Sequence, residues 1–167
     1  FSMIREVYNT LFQELEENNI HLLAQSISWS KVKQIDFFRE YSENTILIGT
    51  DSFWEGIDIP WESLKYLIIQ KIPFSAPTDP IFQARASLFR DSFGDYAIPK
   101  AILKLKQWFW RLIRSKTDTG IIVFLDDRIS TTSWGERFYT AFPKDIKIRS
   151  GTSQKLIDIL KWEDKNI

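Results

Sequence analysis

The chain opens on apolar residues at Ile4, Val7, Tyr8, Leu11, Phe12 and Leu15. That spacing lines one face of a helix, which needs a surface to pack on. No strand precedes it, although a parallel α/β domain normally enters such a helix from a strand. The chain is therefore expected to be a piece of a longer protein. Residues 21–25 read as a short strand. Ser30 suits the cap of a helix running to about Glu40, with Val32, Ile35 and Phe38 on one face. The runs 45–49, 66–70 and 120–125 are almost wholly apolar, as strands covered on both faces are. Between the last two, Asp79 and Pro80 fit the cap and first turn of one helix, and a second spans about Ile98 to Ser115. Further helices are expected over 135–142 and 153–162. Strands alternating with helices predict an α/β fold, a parallel sheet with helices on both faces. No repeat or linker interrupts it, so one domain over 1–167 is the economical reading.

Composition narrows the chemistry. At 167 residues, 44% hydrophobic and 26% charged, the chain has the make-up of a folded globular domain. Basic and acidic residues balance at 22 each, so an argument for nucleic-acid binding must rest on local clusters. The absence of cysteine excludes disulfides and thiolate metal sites. A single histidine, His21, leaves a zinc site or a catalytic triad little to be built from; it is read as structural. No apolar stretch nears the roughly 20 residues that span a bilayer. An intracellular, cytoplasmic location with no membrane contact is expected.

In a parallel sheet the functional loops leave the carboxyl ends of strands. After the strand 45–49 comes Thr50-Asp51-Ser52-Phe53-Trp54-Glu55-Gly56-Ile57-Asp58-Ile59-Pro60. Its hydroxyls and backbone N–H groups suit phosphate contacts. Gly56 permits a close backbone approach, and Asp58 can accept from a ribose hydroxyl. Taken alone, the stretch reads equally as an acidic capped loop. After the strand 66–70 comes Lys71-Ile72-Pro73-Phe74-Ser75-Ala76-Pro77-Thr78-Asp79-Pro80, stiffened by three prolines. It would present Phe74 and Ser75 reproducibly, Phe74 either stacked on a base or packed beneath the loop.

The helix 98–115 carries Lys100, Lys104, Lys106, Arg111 and Arg114 and no acidic residue. At about 100° per residue, Lys104, Gln107, Arg111 and Arg114 share one stripe. Ile102, Leu105, Phe109, Leu112 and Ile113 take the other side. Two arginines and a glutamine on one face make an anion clamp, because guanidinium groups bind phosphate oxygens bidentately. A solvated basic face is the plainer alternative. Trp54, Trp108, Trp110 and Trp134 offer stacking surfaces, although large aromatics more often serve cores and interfaces.

In this order the segments resemble the second motor lobe of superfamily 2 DNA helicases of the DinG/XPD branch. Residues 50–60 resemble motif V, 71–80 the proline-rich loop that follows it, and Gln107-Trp108-Phe109-Trp110-Arg111-Leu112-Ile113-Arg114 motif VI. Asp118, Gly120 and Asp126-Asp127-Arg128 fit the continuation, and the likeness covers roughly residues 3–142. The resemblance implies a RecA-like lobe without its own phosphate-cradling loop; no Gly-x-x-x-x-Gly-Lys-Ser/Thr occurs here. Phe1 and Ser2 look like the tail of a preceding motif IV strand.

The resemblance further implies that ATP and magnesium are bound mainly by a first lobe of the same chain. That lobe would also hold any iron–sulfur cluster. Arg111 and Arg114 would reach the γ-phosphate, with Gln107 positioning the phosphate or the attacking water. Glu55, Gly56 and Asp58 would sense the nucleotide. Thr50 and Ser52 would lie along single-stranded DNA. Trp110 stands where the family has glycine. Two readings stay open: an ATP-driven helicase lobe, of use in DNA repair, and a degenerate lobe kept as a nucleic-acid or protein binding module.

Overall fold

The structure, a computed structural model, describes residues 2–54, 64–113, 118–144 and 146–163. The chain divides into two compact units, 1–65 and 66–167. Each is built around a parallel strand pair, as the alternation of elements predicts.

In the first unit α1 (Ser2–Glu17) packs on β1 (His21–Ala24), which pairs with β2 (Thr45–Ile48). The register runs from His21 opposite Thr45 to Ala24 opposite Ile48. Such pairing demands a crossover, supplied by α2 (Lys31–Glu40) lying against β2. Leu22, Leu23 and Ala24 are buried and form the centre of the unit with Phe38 and Ile4. Ser2 belongs to α1 and not to the tail of a strand, and Phe1 lies outside the described residues. The apolar stripe of α1 is covered only in part, for Leu11 and Phe12 are exposed. A 16-residue helix is about 24 Å long and outruns a four-residue strand of about 13 Å.

Helix α2 departs from its apolar periodicity. Val32 is 67% exposed, whereas Gln34 is 1% exposed and takes a core position. The Gln34 amide can be there because Nε2 donates to the carbonyls of Ala24 (3.3 Å) and Trp29 (2.6 Å). Ser30 stands at the N-cap as expected, but its side chain makes no capping bond.

In the second unit β3 (Tyr66–Ile69) pairs with β4 (Ile121–Phe124), Tyr66 opposite Ile121 and Ile69 opposite Phe124. Strand β3 is not covered on both faces: Leu67 and Ile69 are buried, while Tyr66 and Ile68 are exposed. The apolar run concealed this alternation, since isoleucine occupies either face without changing the pattern.

Helix α4 (Pro80–Ala86) begins as predicted, with the Asp79 carboxylate accepting from the N–H groups of Ile81 (2.9 Å) and Phe82 (3.2 Å). A π-helical turn, Ser92–Ala97, capped by Asp91, leads directly into α5 (Ile98–Leu112). There the Ile98 N–H reaches back five residues to the carbonyl of Phe93. Ile98, Ala101, Leu105, Phe109 and Leu112 form the buried row of α5.

The helix expected over 135–142 is reduced to one short turn, α7 (Glu136–Tyr139), and a second turn that the sequence reading does not include, α6 (Arg128–Thr131), precedes it. Gly135 sits between them, and a Cβ there would collide with the Ile129 carbonyl oxygen. The glycine admits a backbone approach that no other residue allows. Helix α8 (Ser153–Glu163) follows. Among the described residues, no helix is long and apolar enough to cross a membrane.

Candidate functional site

The first unit brings Thr50 and Ser52 together with a residue that motif spacing does not reveal. The chain leaves β1 at Gln25, whose N–H donates to the Ile48 carbonyl at 2.9 Å and prolongs the strand pair. It leaves β2 at Gly49 and enters a short turn, α3 (Asp51–Trp54). Gln25 Oε1 accepts from both the backbone N–H and the hydroxyl of Thr50, each at 2.8 Å. Thr50 Oγ1 lies 3.0 Å from Ser52 Oγ. Thr50 is half-buried and Ser52 exposed.

Beside this group is a cavity of about 320 Å³ lined by Gln25, Ser26, Trp29, Lys31, Gln34 and Ser52 among others. Ser26 holds a φ of 64°, a left-handed conformation that a non-glycine residue adopts only against resistance. Gln34 Oε1 is buried with no hydrogen-bond partner among the described residues. The Lys31 ammonium lies 5.4 Å from the centre of the Phe53 ring. The cavity wall thus mixes polar side chains with the aromatic rings of Trp29 and Phe53 and carries one cationic side chain.

In the second unit the proline-rich loop is fastened to the residues after β4. Asp126 Oδ2 accepts from the Ile72 N–H at 2.9 Å. The same carboxylate meets the Arg128 guanidinium through Nε (2.8 Å) and the terminal NH2 group (2.6 Å). The hydrogen bonds from Arg128, reinforced by the Ile72 N–H, hold the Asp126 carboxyl down at about 2, against an ordinary 3.8. The same pairing raises the Arg128 guanidinium.

Phe74 is half-buried and ringed by Phe93 (5.6 Å between centroids), Trp134 (5.6 Å) and Phe138 (6.3 Å), with the Arg128 guanidinium 5.7 Å away. Of the two roles open to Phe74 from sequence, packing beneath the loop is the one that this geometry supports. Ser75, next to it, is half-buried as well.

Helix α5 presents Gln107, exposed, and Arg111, half-buried, on the side opposite its buried row. Trp110 is 51% exposed and meets Phe109 edge-on at 5.0 Å. Leu103, one of its neighbours on that side, is 59% exposed. Glu55, Gly56, Asp58 and Arg114 lie outside the described residues. Gln25, Gln34 and Asp126 are the site residues that sequence reasoning missed. Gln25 and Gln34 carry no motif signal, while Asp126 enters the sequence reading only within Asp126-Asp127-Arg128, the continuation of the resemblance, with no role of its own.

The helicase C-terminal domain family model matches residues 1–145. The ATP-dependent DNA helicase YoaA of Haemophilus influenzae is 36% identical over 138 residues, covering 80% of this chain and 21% of that protein. The protein named 3'-5' exonuclease DinG of Bacillus subtilis is 34% identical over 145 residues, 84% of this chain and 16% of its own length. The ATP-dependent DNA helicase DinG of Photobacterium profundum is 42% identical over 103 residues, 59% and 15% respectively. The chain thus spans about a fifth or less of the relatives that it matches.

Proposed function

This chain belongs to the helicase C-terminal domain family, and on that premise we propose that it is the second motor lobe of an ATP-dependent DNA helicase. The two compact units are read as halves of one RecA-like lobe, since the family match runs across both. The observation that carries the reading is the outward side of α5. Gln107 and Arg111 stand there on a helix whose other side is fixed by Leu105, Phe109 and Leu112. A rigid helix is what an arginine finger requires, because its contribution lies in meeting charge that develops only in the transition state.

In this reading Arg111 and Arg114 stabilise the γ-phosphate as it transfers, and Gln107 aligns the phosphate or attacking water. Glu55, Gly56 and Asp58 form the loop that responds to the nucleotide. ATP and magnesium are assigned mainly to the first lobe, as is any iron–sulfur cluster, for this chain has no cysteine. Thr50 and Ser52 lie against the backbone of single-stranded DNA, with Phe74 and Ser75 in the loop that borders the strand's path. The protein would work in the cytoplasm, on nucleoid DNA. The YoaA and DinG relatives named as DNA helicases support this reading.

A second reading, a lobe retained for binding alone, is favoured by one observation. Trp110 projects from the outward side of α5 with half its surface exposed, where the resembled motif has glycine. ATP hydrolysis by the complete protein, with and without single-stranded DNA, separates the two. DNA-stimulated turnover that is lost in Arg114→Ala supports the motor. A folded wild type that binds DNA but does not turn over ATP supports the binding lobe.

A further inference from the structure

Resting on the strand-binding reading of residues 50–52, we propose that Gln25 is the positioning residue of that loop. Its side-chain oxygen accepts the hydrogen bond that the Thr50 hydroxyl has to donate, and this leaves Ser52 as the hydroxyl that donates to a phosphate of the strand.

The argument is a count of protons. A threonine hydroxyl has one proton to give, and an amide oxygen can only accept. At 2.8 Å the Thr50 proton therefore goes to Gln25 Oε1. Thr50 Oγ1 is left as an acceptor, so the 3.0 Å contact with Ser52 must be made with the Ser52 proton. The orientation of the Gln25 amide is itself fixed. Exchanging its oxygen and nitrogen would set an NH2 group against the Thr50 N–H, donor to donor, at 2.8 Å.

Gln25 is a firm anchor for this purpose. Its backbone N–H extends the β1–β2 pairing through Ile48. The next residue, Ser26, turns through the left-handed region and so ends the strand at a fixed point. Two donors from one residue converge on one oxygen, and the loop beginning at Thr50 is thereby held to the end of the neighbouring strand. Gln25 also lines the cavity next to Ser52.

An incoming phosphate is a stronger acceptor than a neutral hydroxyl. Ser52, exposed and in hydrogen-bond contact with Thr50, rotates its proton to the phosphate. Thr50 stays, because both of its donors are engaged by Gln25. The residue therefore acts through Thr50, not on the strand directly, and a double-mutant cycle separates these possibilities.

The test is fluorescence anisotropy of a labelled oligothymidylate with the complete protein. Gln25→Leu is compared in three backgrounds: wild type, Thr50→Ser and Thr50→Val. Loss of the acceptor is expected to weaken binding about tenfold in the first two, where a hydroxyl is present, the scale of one hydrogen bond. With Thr50→Val the further loss should be about twofold or less, since only the N–H contact remains to be broken. An equal loss in all three backgrounds overturns the role given to Gln25 and leaves the strand-binding reading standing. A folded wild type with no affinity for the oligonucleotide overturns both. Should Gln25→Leu fail to fold, Gln25→Met, of the same length and equally without a strong acceptor, takes its place in the cycle.

Discussion

The carboxylate of Asp126 meets the guanidinium of Arg128 through two hydrogen bonds, 2.8 and 2.6 Å, and through Oδ2 also accepts the Ile72 N–H at 2.9 Å. One acidic side chain thus joins the segment after β4 to the loop after β3. Replacing Asp126 with alanine leaves a buried N–H without a partner, at a cost of about 1–3 kcal/mol. Amide exchange in peptides covering residues 70–76 should quicken by about fivefold or more, since about 1.4 kcal/mol is a factor of ten. Unchanged exchange would remove Asp126 from this role.

The same pairing sets a pH dependence. The carboxyl sits at about 2 in the fold and ordinarily at 3.8, so its depressed value stabilises the charged, folded form. Its contribution is fully present above about pH 4 and is lost as pH falls through 2. The difference in protection between wild type and Asp126→Asn over residues 70–76 should hold steady from pH 7 to about pH 4 and shrink below it.

Arg111→Ala and Arg114→Ala in the complete protein should each lower ATP turnover by about 10³ to 10⁵, the usual contribution of an arginine finger. Nucleotide binding, followed with a fluorescent ATP analogue, should change little. Turnover close to wild type in either variant would sink the assignment of that arginine.

Trp110 is half-exposed and meets Phe109 by an edge. Trp110→Gly should therefore cost helix stability of about 1 kcal/mol and change ATP turnover by less than about threefold, under 1 kcal/mol of barrier. A rise of a hundredfold or more, about 2.7 kcal/mol off the barrier, would mark the indole as what keeps a degenerate lobe inactive.

Ser52→Ala removes a donor proposed for the DNA backbone. Its affinity for single-stranded DNA should fall by about threefold to tenfold, with no dependence on base sequence. A loss confined to particular sequences would instead place Ser52 on a base edge.

Much of the frame was legible from residue order. The α1 stripe, the Asp79–Pro80 start of α4 and the strand runs all rest on local rules of periodicity and capping. The misreadings share a different cause. Gln34 occupies a core position because distant carbonyls satisfy its amide, and nothing within a window of residues around position 34 records that. Gln25 lies 25 residues from Thr50, so their shared oxygen becomes visible only once β1 and β2 pair. Ile68 was expected inside because its own hydrophobicity says nothing of which face is covered. The packing of Phe74 depends on Phe93, Trp134 and Phe138, a group that with Phe74 spans 65 positions of sequence, so no local window records it.

The π-helical turn before α5 bears on how such a chain can change length. A helix in which Ile98 reaches back to Phe93 holds one residue more in that turn than an α-helix would. Deleting a residue within 92–97 would tighten the turn to ordinary α geometry while leaving α5, from Ile98 onward, its own internal phase. An insertion or deletion inside α5 has no such slack and would rotate Gln107 and Arg111 by about 100° per residue relative to Ala101. Gaps accepted during evolution should therefore gather in the turn, and the helix beyond it should remain gap-free.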